Sequence, residues 1–305
     1  MTEKPVWIPP KHGMIPNPVT TADGYKRYDV SYSIKLGFRP IELELFVPES
    51  QVPIPLIIWI HGGGYAGGTR KEEAPWIEKA NYVGKSLMRG FAIARIDYRL
   101  GREASFPEAV HDAHAALRWL AKFSPQLNLN ISKVVVWGAS AGAHLGALTV
   151  NTFGDPYFEG TDGAEPSSDL KVVGFVDWFG ASDLNTIVRP MDGTDAALPE
   201  VARFPPEYFN LGEDRWQSAE WRKKASPTTY IHEGSPETLL VHGDADSMVP
   251  IQQSHVLMEK LAQAGVPHEL VSIPGAEHAW MGTPQNEVDR IVDLSLDWIE
   301  RVTCR

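Results

Sequence analysis

Residues 134–146 read Val-Val-Val-Trp-Gly-Ala-Ser-Ala-Gly-Ala-His-Leu-Gly, and the fold follows from how that run changes character half way along. Val134 to Trp137 has no polar residue and is β-branched or aromatic throughout, the composition of a short strand covered on both faces. Ala143 to Leu148 is built of small and helix-forming residues. Between them Gly138, Ser140 and Gly142 make a Gly-x-Ser-x-Gly turn, so a buried strand passes through a tight bend into a helix. Glycine is needed on either side because a Cβ there would meet neighbouring backbone, and the bend thrusts the serine hydroxyl out of the sheet. The pentapeptide alone carries little weight. Its setting makes Ser140 a candidate nucleophile.

Working outward, further apolar runs occur at Leu56 to Ile60, Phe91 to Ala94, Val172 to Trp178, Thr238 to Val241 and Leu270 to Ile273. They predict parallel strands with helices on both faces. Tyr28 to Ile34 and Ile41 to Val47 alternate instead, with Glu42 and Glu44 opposite Ile41, Leu43, Leu45 and Val47, which predicts antiparallel edge strands with one wet face. Helical spacing marks Pro107 to Phe123, a second helix through Val256, Leu257 and Leu261 stopped by Gly265 and Pro267, and a last one from Val288 to Val302 with Thr283 as N-cap and Pro284 in its first turn. The expectation is one α/β domain over residues 1–305 with a mostly parallel eight-stranded sheet. Residues 1–25 form an N-terminal extension. Residues 151–170 read as a long loop, and 180–226, rich in aromatic residues and proline, as a cap-like insertion.

Of 305 residues, 43% are hydrophobic and 22% charged, which excludes a disordered chain, and no internal repeat is visible. A net charge of −11 leaves no positive field for a nucleic-acid backbone. The lone cysteine, Cys304, excludes a disulfide framework and a thiolate metal site. No stretch approaches the ~20 apolar residues of a membrane span, and the start, broken by Pro5, Pro9 and Pro10, lacks a signal peptide's apolar run, so a cytoplasmic address is expected. Oligomeric state is not encoded legibly, and a homodimer stays open.

Two further strand ends carry chemistry. His61-Gly62-Gly63-Gly64-Tyr65 follows Leu56 to Ile60, and such a glycine run can turn amides toward a developing oxyanion; Gly63, Gly64 and Ala141 are the expected donors. The last two strands end in His242-Gly243-Asp244-Ala245-Asp246 and in Gly275-Ala276-Glu277-His278. The order Ser140, Asp246, His278 suits a serine hydrolase in which His278 relays the proton and the carboxylate fixes its tautomer. Asp244 competes with Asp246 for that last role.

These motifs give the chain a resemblance to the α/β-hydrolase esterases with an HGGG oxyanion loop, near the hormone-sensitive-lipase-like group and closer to the feruloyl or acetylxylan esterase-like (BD-FAE-like) group. The resemblance spans about residues 40–300 and includes Asp97-Tyr98-Arg99-Leu100, Phe106-Pro107, Asp177-Trp178-Phe179-Gly180 and Ser226-Pro227. It implies Asp246, three residues before Val249-Pro250, as the acid. Where hormone-sensitive-lipase-like members usually carry Asp before the serine, this chain has Ala139, which favours the BD-FAE-like branch. The implied activity is cofactor-independent hydrolysis of small or medium carboxylic esters through an acyl-enzyme, with no metal and with a small-molecule ester as substrate. An arylformamidase or peptidase on the same three residues is the rival, and a non-catalytic ligand-binding relative the remote one.

Other residues invite blander readings. His111, Asp112 and His114 are expected on a solvated helix face, His144 and His242 as hydrogen-bonded structural histidines, and Asp97 with Arg99 as a buried ion pair. Tyr65, Trp178, Phe179 and Trp280 follow strand ends and are candidate pocket walls. Trp216 and Trp221 would join them only if the insertion folds over the mouth.

Overall fold

The computed structural model describes residues 14–35, 39–161, 165, 167–187 and 204–304. Parts of the N-terminal extension, of the 151–170 segment and of the cap-like insertion (residues 188–203) lie outside them. Nine strands form one sheet: β1 (Val19–Thr20), β2 (Lys26–Ser33), β3 (Ile41–Val47), β4 (Ile54–Ile60), β5 (Ala92–Ile96), β6 (Leu129–Ala139), β7 (Val172–Trp178), β8 (Glu237–Gly243) and β9 (His268–Ile273). Their order is β1-β2-β3-β5-β4-β6-β7-β8-β9. Pairings among β1, β2, β3 and β5 are antiparallel and all those from β5 to β9 are parallel. Among the described residues the expected count of eight is thus corrected to nine. The ninth is the two-residue β1, too short for periodicity to reveal.

Side chains on successive strand residues point to opposite faces, and the buried strands use both. Leu56, Ile58, Ile60, Val134 and Val136 join one apolar cluster, covered by α3 (Glu108–Leu127) and α4 (Ala141–Thr152). Ile57, Trp59, Val135 and Trp137 join the other. That face is covered by α1 (Pro75–Lys79), α2 (Tyr82–Met88) and the C-terminal helix α9 (Gln285–Thr303). Four indoles stand edge to face here, with ring centroids 5.2 Å apart for Trp59–Trp137, 5.0 Å for Trp137–Trp178 and 5.6 Å for Trp178–Trp280. The other α-helices among the described residues are α5 (Pro156–Glu159), α6 (Pro206–Leu211), α7 (Ala219–Lys224) and α8 (Gln252–Gln263). The 151–170 segment is therefore partly helical, and α9 starts at Gln285 with Pro284, not Thr283, at its N-cap. Among the described residues no helix is long and apolar enough to cross a membrane.

The buried charges pair differently from expectation. Arg99 forks onto Asp112, with Nε–Oδ2 and Nη2–Oδ1 both 2.8 Å, while Asp97 takes Arg70 at 2.5 Å. Asp112 and His114 are buried, not solvated, because α3 lies along the sheet: the His114 ring nitrogens contact the carbonyls of Phe158 and Thr149. Glu44, expected on a wet face, is buried against Arg95 at 2.5 Å.

Candidate active site

Ser140 follows β6 directly with φ 55° and ψ −120°, a conformation that L residues avoid and that only the surrounding structure sustains. Its amide donates to the Trp178 carbonyl at 2.8 Å, and its carbonyl accepts from His144 at 3.0 Å, pinning the bend between β7 and α4. The glycines on either side are sterically required. A Cβ on Gly138 would lie 2.4 Å from the Gly142 carbonyl oxygen, and one on Gly142 would lie 2.1 Å from that of Ile60. The second contact also locks the bend against the end of β4, where the His61 to Gly64 loop begins.

In that loop Gly63 and Gly64 have φ 111° and 61°, and a Cβ on Gly63 would meet the Gly67 carbonyl at 2.2 Å. The Gly63 carbonyl is tied down by the amides of Ala66 and Gly67. The Gly63, Gly64 and Ala141 amides donate to no acceptor among the described residues. Those of Gly63 and Gly64 sit in the cavity wall around Ser140, and that of Ala141 opens the helix that follows it.

The structure brings Ser140, His278 and Asp246 together. His278 Nε2 is 2.9 Å from Ser140 Oγ, and His278 Nδ1 is 2.7 Å from Asp246 Oδ2. Asp246 Oδ1 accepts from the amides of Met248 and Val249 at 2.9 and 2.7 Å. Burial pushes the Asp246 carboxyl up, but hydrogen bonds from His242, His278 and Val249 outweigh it and hold the group well below the usual carboxylate range. An ionised carboxylate only accepts, so His278 carries its proton on Nδ1 and turns the Nε2 lone pair to the serine hydroxyl. Asp244 is exposed and does not touch His278; its Oδ1 takes the Gly275 amide at 2.6 Å, tying the β8 turn to the β9 turn.

His242 and His144 hold this frame. His242 Nε2 donates to the Val249 carbonyl at 2.8 Å with Asp246 Oδ2 at 3.3 Å, and Nδ1 accepts from Ser254 Oγ at 2.7 Å. His144 Nε2 faces the Ala225 carbonyl at 2.8 Å, so that nitrogen bears the proton and Nδ1 accepts from the Tyr65 hydroxyl at 2.6 Å. Burial pushes the His144 imidazole down to about 4, which keeps it neutral.

Two cavities meet at Ser140. The smaller, about 30 Å³, is lined by Gly64, Tyr65, Ala141, His144, Ala181, Leu184, Pro206, Glu207, Asn210 and Val249. The larger, about 490 Å³, runs past Gly63, His278, Phe179, Phe204, Phe209, Met248 and the acidic pair Glu72 and Glu73. Of the four expected pocket aromatics, Tyr65 walls the first and Phe179 the second, its ring 4.9 Å from that of His278. Trp178 and Trp280 line neither, which corrects that expectation: both are fully buried in the indole cluster beneath the site. Trp216 and Trp221 are also absent from the walls; they rest on the neighbouring apolar cluster. The insertion reaches the mouth through α6 and Phe204. No periodicity or motif singles out Pro206, Glu207 or Asn210 in the sequence.

Comparison with known proteins adds the family. Esterase LipC of Mycobacterium tuberculosis is 27% identical over 237 residues, 75% of this chain and 53% of its own length. The probable carboxylic ester hydrolase LipM of the same organism is 26% identical over 74% of this chain and 49% of its own. The chain thus spans about half the length of these curated relatives. A solved structure described as a truncated carbohydrate esterase from gut microbiota superposes with a TM-score of 0.74 at 27% identity, covering 93% of this chain and 99% of that one. The architecture is that of the α/β-hydrolases, and since the BD-FAE family model matches residues 43–261, this chain belongs to the BD-FAE family.

Proposed function

We propose that the chain is a serine carboxylesterase that splits short-acyl esters of bulkier alcohols through an acyl-enzyme. The observation that carries this reading is the continuous relay from Asp246 through His278 to Ser140, facing amides that have no acceptor among the described residues. Ser140 Oγ attacks the ester carbonyl while His278 Nε2 takes its proton, and Asp246 stabilises the imidazolium. The carbonyl oxygen, now an oxyanion, receives the Gly63, Gly64 and Ala141 amides, each worth a few kcal/mol in a dry site. His278 then protonates the departing alcohol oxygen, and a water repeats the sequence to release the acid.

The two cavities divide the substrate. The alcohol must leave on the side of His278, which lines only the larger cavity, so the acyl group turns into the smaller. At about 30 Å³, against the ~10–15 Å³ that one water needs, that space takes two or three atoms beyond the carbonyl. Turnover of 4-nitrophenyl acetate, propionate, butyrate and octanoate tests this. We expect kcat/KM to peak at two to four carbons and to fall at least ~100-fold by octanoate. Cleavage of N-formylkynurenine or an aminoacyl anilide, with none of these esters, would overturn the reading.

A further inference from the structure

Asn210 lines the smaller cavity and is only 4% exposed, yet its carboxamide makes no hydrogen bond among the described residues. Its backbone is committed: the Asn210 carbonyl accepts from Phe106 at 2.7 Å. The side-chain oxygen and nitrogen of Asn210 are not among the enclosed polar atoms that lack a partner, so they keep access to open space beside the cavity this residue lines. Gln253, equally buried, shows the ordinary outcome. Its Oε1 accepts from Ser182 and Asp183, both at 2.9 Å, and its Nε2 donates to Thr186 at 3.1 Å. His144 in the same cavity wall is likewise saturated. Among the described residues, Asn210 is therefore a neutral polar side chain of this wall with hydrogen-bonding capacity open to a guest.

Resting on the esterase reading above, we propose that the acyl subsite selects a short hydroxyacyl group, its hydroxyl hydrogen-bonded to the Asn210 carboxamide. The neighbouring walls narrow the chemistry. Leu184, Pro206 and Val249 are apolar, which suits the carbon skeleton of a two- to three-carbon acid. Glu207 on the same wall disfavours a carboxylate, and the Asn210 carboxamide, donor and acceptor at once, can pair with a neutral hydroxyl in either direction. A site built to bond a hydroxyl rejects the analogue lacking it far more strongly than an apolar pocket rejects an extra methyl group.

The test compares ethyl glycolate with ethyl propionate, and ethyl lactate with ethyl isobutyrate, pairs in which a hydroxyl replaces a methyl of similar size. Release of acid is followed by pH-stat on the full chain and on Asn210→Leu and Asn210→Ala. The quantity read is the hydroxyacyl-to-alkyl ratio of kcat/KM within each protein, which cancels partial loss of folded enzyme. We expect the wild-type ratio to exceed that of either variant by at least ~10-fold. Asn210→Ala keeps the test open should the leucine variant not fold. Hydrolysis of all four esters with a ratio unchanged by both variants would overturn the subsite while leaving the esterase reading intact. A folded protein that cleaves none of the four, nor 4-nitrophenyl acetate, would overturn both.

Discussion

Lowering the pH should weaken this protein in part through His144, one of three histidines, with His61 and His114, whose imidazoles burial pushes down. The His144 imidazole sits at about 4 in the fold, against an ordinary 6.5, because burial disfavours the charged form. Below 6.5 the unfolded chain takes up a proton that the native state refuses. This stabilisation is therefore complete above 6.5 and is lost as pH falls toward 4. At ~1.4 kcal/mol per unit, moving from pH 7 to pH 5 removes about 2 kcal/mol. Urea unfolding followed by tryptophan fluorescence at intervals across that range, on wild type and His144→Gln, isolates the term from the carboxylates that titrate alongside. At pH 7 the variant should be less stable, since the Tyr65 hydroxyl and the Ala225 carbonyl lose their fitted partner. The gap should then shrink by about 2 kcal/mol at pH 5. Parallel curves, with a constant gap, would refute a neutral buried imidazole.

Ser140→Ala and His278→Ala should each remove nearly all of kcat, and Asp246→Asn about 10⁴ by offering His278 the wrong tautomer, whereas Asp244→Asn should act mainly on thermal stability; a larger kinetic loss at Asp244 would reverse the assignment. Gly142→Ala places a Cβ 2.1 Å from the Ile60 oxygen, so the serine bend and the amide loop must part. A shift near 1 Å should cost ~100-fold or more in kcat/KM, and wild-type kinetics in that variant would contradict the packing. Burial, opposed by a 2.7 Å hydrogen bond from Trp59, pushes the Glu73 carboxyl up to about 7, so the larger cavity gains negative charge as pH rises through neutrality. The kcat/KM ratio of acetylcholine to 3,3-dimethylbutyl acetate should rise across pH 6 to 8 and flatten in Glu73→Gln; equal slopes in both proteins would refute it.

The sheet was legible because its strands are buried on both faces and so read as apolar runs, and the Gly138 to Gly142 bend because backbone collisions dictate its glycines. The side-chain partners of charged residues were not. Asp97 and Arg99, two apart in the sequence, each pair elsewhere, and the groups they meet, Arg70 and Asp112, come from a loop and from α3. Trp178 and Trp280 follow strand ends as pocket residues would, but the long indole finds more apolar surface beneath the sheet than at its rim. Conversely, Asn210 and Glu207 come from an irregular stretch with no period to read, and only the fold of α6 against the serine gives them meaning.

The indoles of Trp59, Trp137, Trp178 and Trp280 stand close enough to couple their excited states. Light absorbed at the centre of the sheet can thus be emitted from the ring two residues beyond His278. Near-ultraviolet circular dichroism should accordingly carry a coupled contribution from these four of the chain's ten tryptophans, and a ligand that tilts Phe179 or the His278 turn would change that contribution without any label being attached.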